Sequence, residues 1–286
     1  MKSVSKPLRG NSTGRILTLL LLCVFSSVPV WAKVSLEGDL IQGGMLIGSG
    51  AKGAKVWQDG DPVRVSESGT FLIGFGRDAP ATSQLKIVYA DGNEELRKLT
   101  IKRRDYRIQR IDGLPQRKVT PRSEEDLKRI RDDVVQLKKA RARNDAREDF
   151  LSGFMWPAQG PISGVYGSQR ILNGKPRRPH FGVDIARPTG TPVVAPADGI
   201  ISLAHPDMFF SGGTLLIDHG HQLSSAFLHL SRILVEVGQK VKKGETVAEI
   251  GATGRVTGPH LDWRMHLREH RIDPQLLVPP MPVAKK

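Results

Sequence analysis

Two short stretches of this 286-residue chain carry side chains whose types and spacing could hold a metal ion. His180 and Asp184 stand four apart in RPHFGVDIARP, with Gly182 between them and Pro188 and Pro192 just downstream. The prolines argue against a helix. In an extended segment positions 180, 182 and 184 share one face, so an imidazole and a carboxylate converge. Near the C-terminus, GPHLDWRMHL alternates strictly. Leu261, Trp263, Met265 and Leu267 belong to a core face, and His260, Asp262, Arg264 and His266 to the opposite one. His229 in LSSAFLHLS is a third candidate, with Leu228 and Leu230 facing one way and the imidazole the other. Imidazole nitrogen and carboxylate oxygen both ligate zinc, and imidazoles outside the ligand set can transfer protons. Taken singly, each group also has a plain structural explanation: an exposed His–Asp pair, a hydrogen-bonded histidine on a strand, a polar sheet face turned to water.

Thiolate chemistry is excluded from the mature chain by its beginning. Lys2, Lys6, Arg9 and Arg15 precede an apolar run from Ile16 to Phe25 that is too short to span a bilayer comfortably. Val30, Trp31 and Ala32 then offer a cleavage site, so residues 1–32 read as a secretory signal peptide, with a retained anchor as the alternative. Cys23 is the only cysteine and lies inside that run. Removing the segment leaves no disulfide, no thiolate ligand and no stable membrane span, so a transition metal must be held by histidine and carboxylate. It also takes four basic residues from the formal charge of +14, leaving +10. An exported basic protein meets anionic envelope polymers or lipid surfaces, and no nucleic-acid-binding motif is present.

The elements that position these residues are mainly β. Residues 33–116 are short apolar runs punctuated by Asp-Gly, Gly-Gly and Ser-Gly, which predicts roughly seven strands in a small β-sandwich. Residues 117–150 form a charged helical linker. Ser123 is its N-cap, Glu124 and Glu125 fill the first turn, and Leu127, Ile130, Val134, Leu137 and Ala140 make one narrow apolar stripe. Residues 151–275 return to strands bounded by Gly, Pro and Asp, which predicts one antiparallel β domain, and 276–286 form a tail.

Several blocks in order carry a resemblance: HFGVDIA, APADGII, the DHG turn, HLS, VGQKVKKGE and GATGRVTGPHL. From about Trp156 to Leu267 the chain is similar to the lysostaphin/LytM-type zinc metallopeptidases, peptidoglycan hydrolases of the β-rich duplicated hybrid motif fold. The resemblance implies one Zn2+ per chain. It implies His180 and Asp184 as ligands, and His229 and His260 as the non-ligand histidines that act on the attacking water and the developing oxyanion. The third ligand position, the second histidine of an H-x-H motif in the family, is Asp262 here. Two carboxylates bring a divalent site to neutrality, which polarises a carbonyl less and favours a more alkaline optimum.

The reading that follows is an exported zinc endopeptidase acting on peptidoglycan stem-peptide cross-links, in the periplasm of a Gram-negative bacterium. Arg170, Arg187, Arg255 and Arg264 are expected near its groove. The alternative is an inactive relative that binds peptidoglycan or activates a cell-wall amidase, with a divisome partner. His219 and His221 flank a glycine turn and are expected at the surface, and His266 lies too far along its strand to share the metal.

Overall fold

The computed structural model describes residues 1, 33–111, 123–172 and 174–282. The expected signal peptide lies outside the described residues. The described residues from Lys33 onward form one compact unit that is mainly β, with strands paired antiparallel except at one seam.

Seven strands come first, in two sheets. Ser35–Gly38, Met45–Ser49 and Phe71–Gly74 form one; Asp61–Val63, Lys55–Gln58, Thr82–Val88 and Glu94–Thr100 form the other. Both contribute to one apolar cluster, with Leu46, Phe71 and Ile73 from the first sheet and Val56, Leu85 and Ile87 from the second. Thr82–Val88 shows the half-buried alternation expected of such a strand, Ser83, Leu85 and Ile87 facing inward.

The seam to the C-terminal part is apolar and polar together. Met45 and Leu72 belong to the same cluster as Trp263 and Leu267. Arg104 Nη1 donates to Asp273 at 2.8 Å, and Arg268 donates to Gln58. Strand Ile108–Ile111 pairs in parallel with Gln169–Leu172, threading the N-terminal segment along the later domain.

The helix Glu124–Arg141 is capped by Ser123 Oγ, which accepts from Asp126 N at 3.1 Å. Its first turn is acidic and its last turn basic, both favourable to the helix dipole. Its apolar stripe is not a core face. Ala140 is buried and Leu137 packs against the cluster of Leu203, Met208 and Leu228, but Leu127 and Val134 are exposed. The helix instead docks through polar groups: the buried Asp133 carboxylate accepts from Phe209 N at 2.7 Å, and Arg129 pairs with Asp207 at 2.6 Å.

A ten-stranded sheet holds the chemistry-bearing residues. Along its main path run Lys240–Val241, Gly199–Met208, Gly212–Asp218, Leu223–Ile233, Leu261–Leu267, Gly182–Ile185 and Ile162–Gly164. One face is closed by Trp263, Phe227, Ile185, Ile217 and Leu215, all fully buried, with Trp156 packed edge-on against Trp263 at 5.8 Å. The core face expected of Leu261, Trp263, Met265 and Leu267 is present, each at 0% exposure.

His219 and His221 are buried rather than at the surface, because the turn that carries them folds under Phe150 and Phe154. His219 bonds Asp198 O at 2.7 Å and Ser225 Oγ at 2.8 Å. Burial pulls its pKa down to about 4 from 6.5. A group depressed in the folded state stabilises above its unfolded pKa and loses that contribution as pH falls. Between pH 6.5 and 4 the lost contribution amounts to about 3 kcal/mol for this histidine. Urea midpoints measured at pH 7.5 and 4.5 should therefore converge in His219→Asn relative to wild type, even though the variant starts lower.

Candidate metal centre

The site begins with a strand register. Gly182–Ile185 runs antiparallel to Leu261–Leu267, and in that pairing Gly182 faces Arg264 and Asp184 faces Asp262. Two carboxylates directly opposite one another on a sheet repel. Gly182 makes room for the arrangement: a Cβ there would lie 2.6 Å from Asp262 Oδ1 and 2.7 Å from Arg264 Cγ. Gly164, on the neighbouring strand, likewise makes way for the Asp184 carboxylate. His180 enters just before its strand and brings Nε2 to 3.1 Å from Asp184 Oδ1. One ligand atom from each of His180, Asp184 and Asp262 lies within 4.8 Å of the others.

These residues fit a divalent cation. His180 Nε2 and Asp184 Oδ1 are both buried and face each other at 3.1 Å, and neither has any other partner among the described residues. Buried polar atoms left unpaired are costly, and a shared cation satisfies both at once. Asp262 is oriented by Arg264, whose Nε donates to Oδ1 at 2.9 Å and to Oδ2 at 3.1 Å. A carboxylate oxygen retains lone pairs beyond such bonds, and a ligating carboxylate is commonly oriented by an outer hydrogen-bond donor of this kind. Burial alone would raise the Asp262 pKa, but the Arg264 charge and hydrogen bonds hold it below the ordinary range. Burial likewise pushes His180 down, and its bond to Asp184 with the charges of Asp262 and Asp184 carries it up overall.

His229 reaches the site through a backbone irregularity. Phe227 pairs with Leu215 but Leu230 with Gly213, so its strand carries one extra residue, and His229 sits there at φ 67°. A non-glycine residue in that region costs about 1–3 kcal/mol. The bulge breaks the alternation expected around it. Leu228 and Leu230 do not face one way; they belong to different apolar clusters. The ring is held by Nδ1 at 2.9 Å from Thr253 O, and His260 by Nδ1 at 2.9 Å from Gly258 O. A carbonyl only accepts, so each Nδ1 carries the proton and each neutral ring keeps Nε2 as its basic nitrogen. The two rings lie 5.0 Å apart, and His260 Nε2 is 3.9 Å from Asp184 Oδ1. Burial lowers the His229 pKa, which keeps that ring neutral.

The five residues line one cavity of about 1240 Å³. Ile130, Val134 and Leu137 of the helix form part of its wall, which accounts for their incomplete burial. Arg255 and Arg264 line it as expected; Arg187 does not, and packs against Gly160 instead. His266 lies outside the cluster of candidate ligands, buried at 2% exposure with neither ring nitrogen bonded. The residues missed from sequence are Asp133 and Arg141, which the charge pattern of the helix presents as solvent-facing.

Comparison with known proteins gives this arrangement its class. Residues 178–274 match the model of Peptidase family M23, and the chain carries a domain of that family. It is 45% identical over 92 residues to the peptidoglycan DD-endopeptidase ShyA of Vibrio cholerae, covering 32% of this chain and 21% of that protein. It is 37% identical over 142 residues to ShyB of the same organism, covering 49% and 30%. The chain thus spans less than a third of the length of these relatives. A crystal structure of a peptidase M23 protein from Pseudomonas aeruginosa is 29% identical with a TM-score of 0.65, covering 84% of this chain and 95% of that one. That likeness extends well beyond the residues of the family match.

Removing one partner of a buried ion pair leaves the other charge uncompensated, at about 3–5 kcal/mol. Arg264→Met should destabilise the metal-free protein by roughly that much in urea unfolding. Adding Asp262→Leu to it should recover most of the loss, and a double variant as unstable as the single one would show that the pair is not the source.

Proposed function

We propose that this chain is a zinc-dependent endopeptidase, one ion per chain, that cuts peptide cross-links of peptidoglycan in the periplasm of a Gram-negative cell. One observation carries the reading: His180, Asp184 and Asp262 converge beside His229 and His260 on the wall of one cavity, within a Peptidase family M23 domain. The peptidoglycan DD-endopeptidases among its relatives support the substrate, and with it an envelope location. Among the described residues no helix is long and apolar enough to cross a membrane.

His180, Asp184 and Asp262 hold the ion. Zinc, when bound there, supplies Lewis-acid polarisation of the scissile carbonyl. His229, neutral through burial, accepts the proton of the attacking water at Nε2 and passes it to the leaving amine. His260, fixed through Nδ1, faces the carbonyl oxygen and stabilises the negative charge that develops on it once its own Nε2 is protonated. The helix residues Ile130, Val134 and Leu137 hold the apolar parts of the peptide and exclude water from that side.

A second reading has one observation in its favour. Both oxygens of Asp262, the position where the family has histidine, accept hydrogen bonds from Arg264. If that pair outcompetes the ion, the domain is a peptidoglycan-binding protein or an amidase activator rather than a hydrolase.

Zinc-loaded protein incubated with purified sacculi should release shortened muropeptides, and His180→Ala should lose both stoichiometric zinc and this release. Retained zinc without release would favour the second reading. Asp262→His removes one negative charge from the site. Its chelator-competed zinc affinity should change, and the acid limb of its pH–rate profile should move to lower pH; superimposable profiles would exclude a charge effect of Asp262.

A further inference from the structure

The cavity carries more positive charge than a metal centre uses. Arg107, Arg141, Arg177, Arg178, Arg255 and Arg264 line it, against Asp133, Asp184 and Asp262. Two of those carboxylates are engaged, Asp133 by Phe209 N and Asp262 by Arg264, and Asp184 belongs to the candidate ligands. Among the described residues, Arg264 alone of the six arginines has a carboxylate partner. Arg141, the last residue of the helix, is partly buried, and its Nε is enclosed without a partner. His266, 2% exposed with both ring nitrogens unpaired, lies within reach of the charges of Arg141, Arg271, Arg264 and Arg178. Burial first, and then the charges of Arg271, Arg264 and Arg178, pull the Arg141 pKa down to about 9. Of the six, Arg141, Arg178 and Arg264, with Arg271 beside them, act on one another, and guanidinium groups so placed repel unless an anion lies between them.

We propose that this arginine group is an anion-binding site beside the metal centre that takes the free carboxylates of a peptide lying along the helix. The chemistry favours a carboxylate peptide over a free inorganic anion. The same cavity offers an apolar surface of Ile130, Val134, Leu137, Met208 and Phe210 next to the cations. A ligand that fills it must be amphiphilic, with carboxylates for the planar guanidinium forks and apolar groups for the helix face. The helix then contributes to recognition through Arg141 and is not a spacer. Naming the peptide as a peptidoglycan stem peptide rests on the function proposed above; the anion site itself rests on the cavity.

The test separates binding from turnover by using residues 33–286 with His180→Ala, which cannot consume the probe. The probe is a stem tetrapeptide with free carboxylates, compared by calorimetry with the same peptide fully amidated and with inorganic phosphate. The acid form should bind about tenfold or more tighter than the amide, as loss of one charge-assisted pair implies. Arg178→Gln and Arg107→Gln, both at exposed positions, should each weaken the acid form severalfold and leave the amide unchanged. Arg141→Lys, which keeps the charge but not the fork, should fall between wild type and Arg141→Gln. Equal binding of acid and amide, indifference to the arginine variants, or phosphate binding as tight as peptide would each overturn the proposal. Sacculus hydrolysis by the unsubstituted protein alongside such a result would leave the endopeptidase standing without this site. Carboxylate-dependent binding without hydrolysis would leave the site standing without the endopeptidase.

Discussion

The arrangement of this domain turns on two carboxylates that the sheet forces together. Asp184 and Asp262 are cross-strand partners, and Asp262 is buried at 3% exposure. Such a pair cannot persist as two bare anions in a low-dielectric setting, so the surroundings must supply cations. Arg264 supplies one from the same strand, two residues on and facing Gly182. His180 brings Nε2 to 3.1 Å from Asp184 Oδ1 and is raised in pKa by both carboxylates despite its burial. The proposed metal ion is the third compensating charge, and His180 Nε2 and Asp184 Oδ1, which have no partner but each other, mark where it is needed.

Backbone exceptions make this crowding feasible. Gly182 and Gly164 are positions where any side chain would occupy the space of an aspartate. The extra residue at His229 is the opposite device, strain accepted in order to re-aim a ring out of the regular pleat. Its cost is offset by neighbours that bind it firmly: the His229 N–H donates to Ser211 O at 2.8 Å and its ring to Thr253 O. The glycine-rich GATG segment thus serves as the carbonyl shelf on which the imidazole rests, as well as a turn.

How much of this was legible in the sequence follows from the range of each interaction. Strict alternation from Leu261 to Leu267 reported a strand with one core face, because that pattern depends only on local geometry and burial. The spacing of His180 and Asp184 likewise translated into convergence. The bulge at His229 did not, since a single inserted residue leaves no mark in an apolar–polar pattern. The burial of His219 and His221 was equally hidden: a His-Gly-His turn looks exposed until Phe150 and Phe154, about 70 residues earlier, fold over it. Asp133 and Arg141 look in sequence like any other charge on a helix of this kind. Their roles depend on Phe209 N and on a cavity built from distant strands, neither of which a helical period encodes.

Arg264 also changes the electrostatic meaning of Asp262. Counted alone, a second carboxylate brings a divalent site to neutrality. Arg264 lies within hydrogen-bonding distance of that carboxylate, however, and its charge acts on the same volume. With zinc bound as proposed, ion, two aspartates and one arginine together carry about one positive charge, the same as a site with a single carboxylate and no arginine. Asp262 and Arg264 are therefore best understood as one unit rather than as a lost histidine and an unrelated cation. The guanidinium draws electron density from the carboxylate, which weakens it as a ligand and leaves more of the ion's charge for a bound carbonyl. On this view the aspartate trades affinity for the ion against polarising power. The balance between them is set by how firmly Gly182 and the Asp184 strand hold Arg264 in its fork.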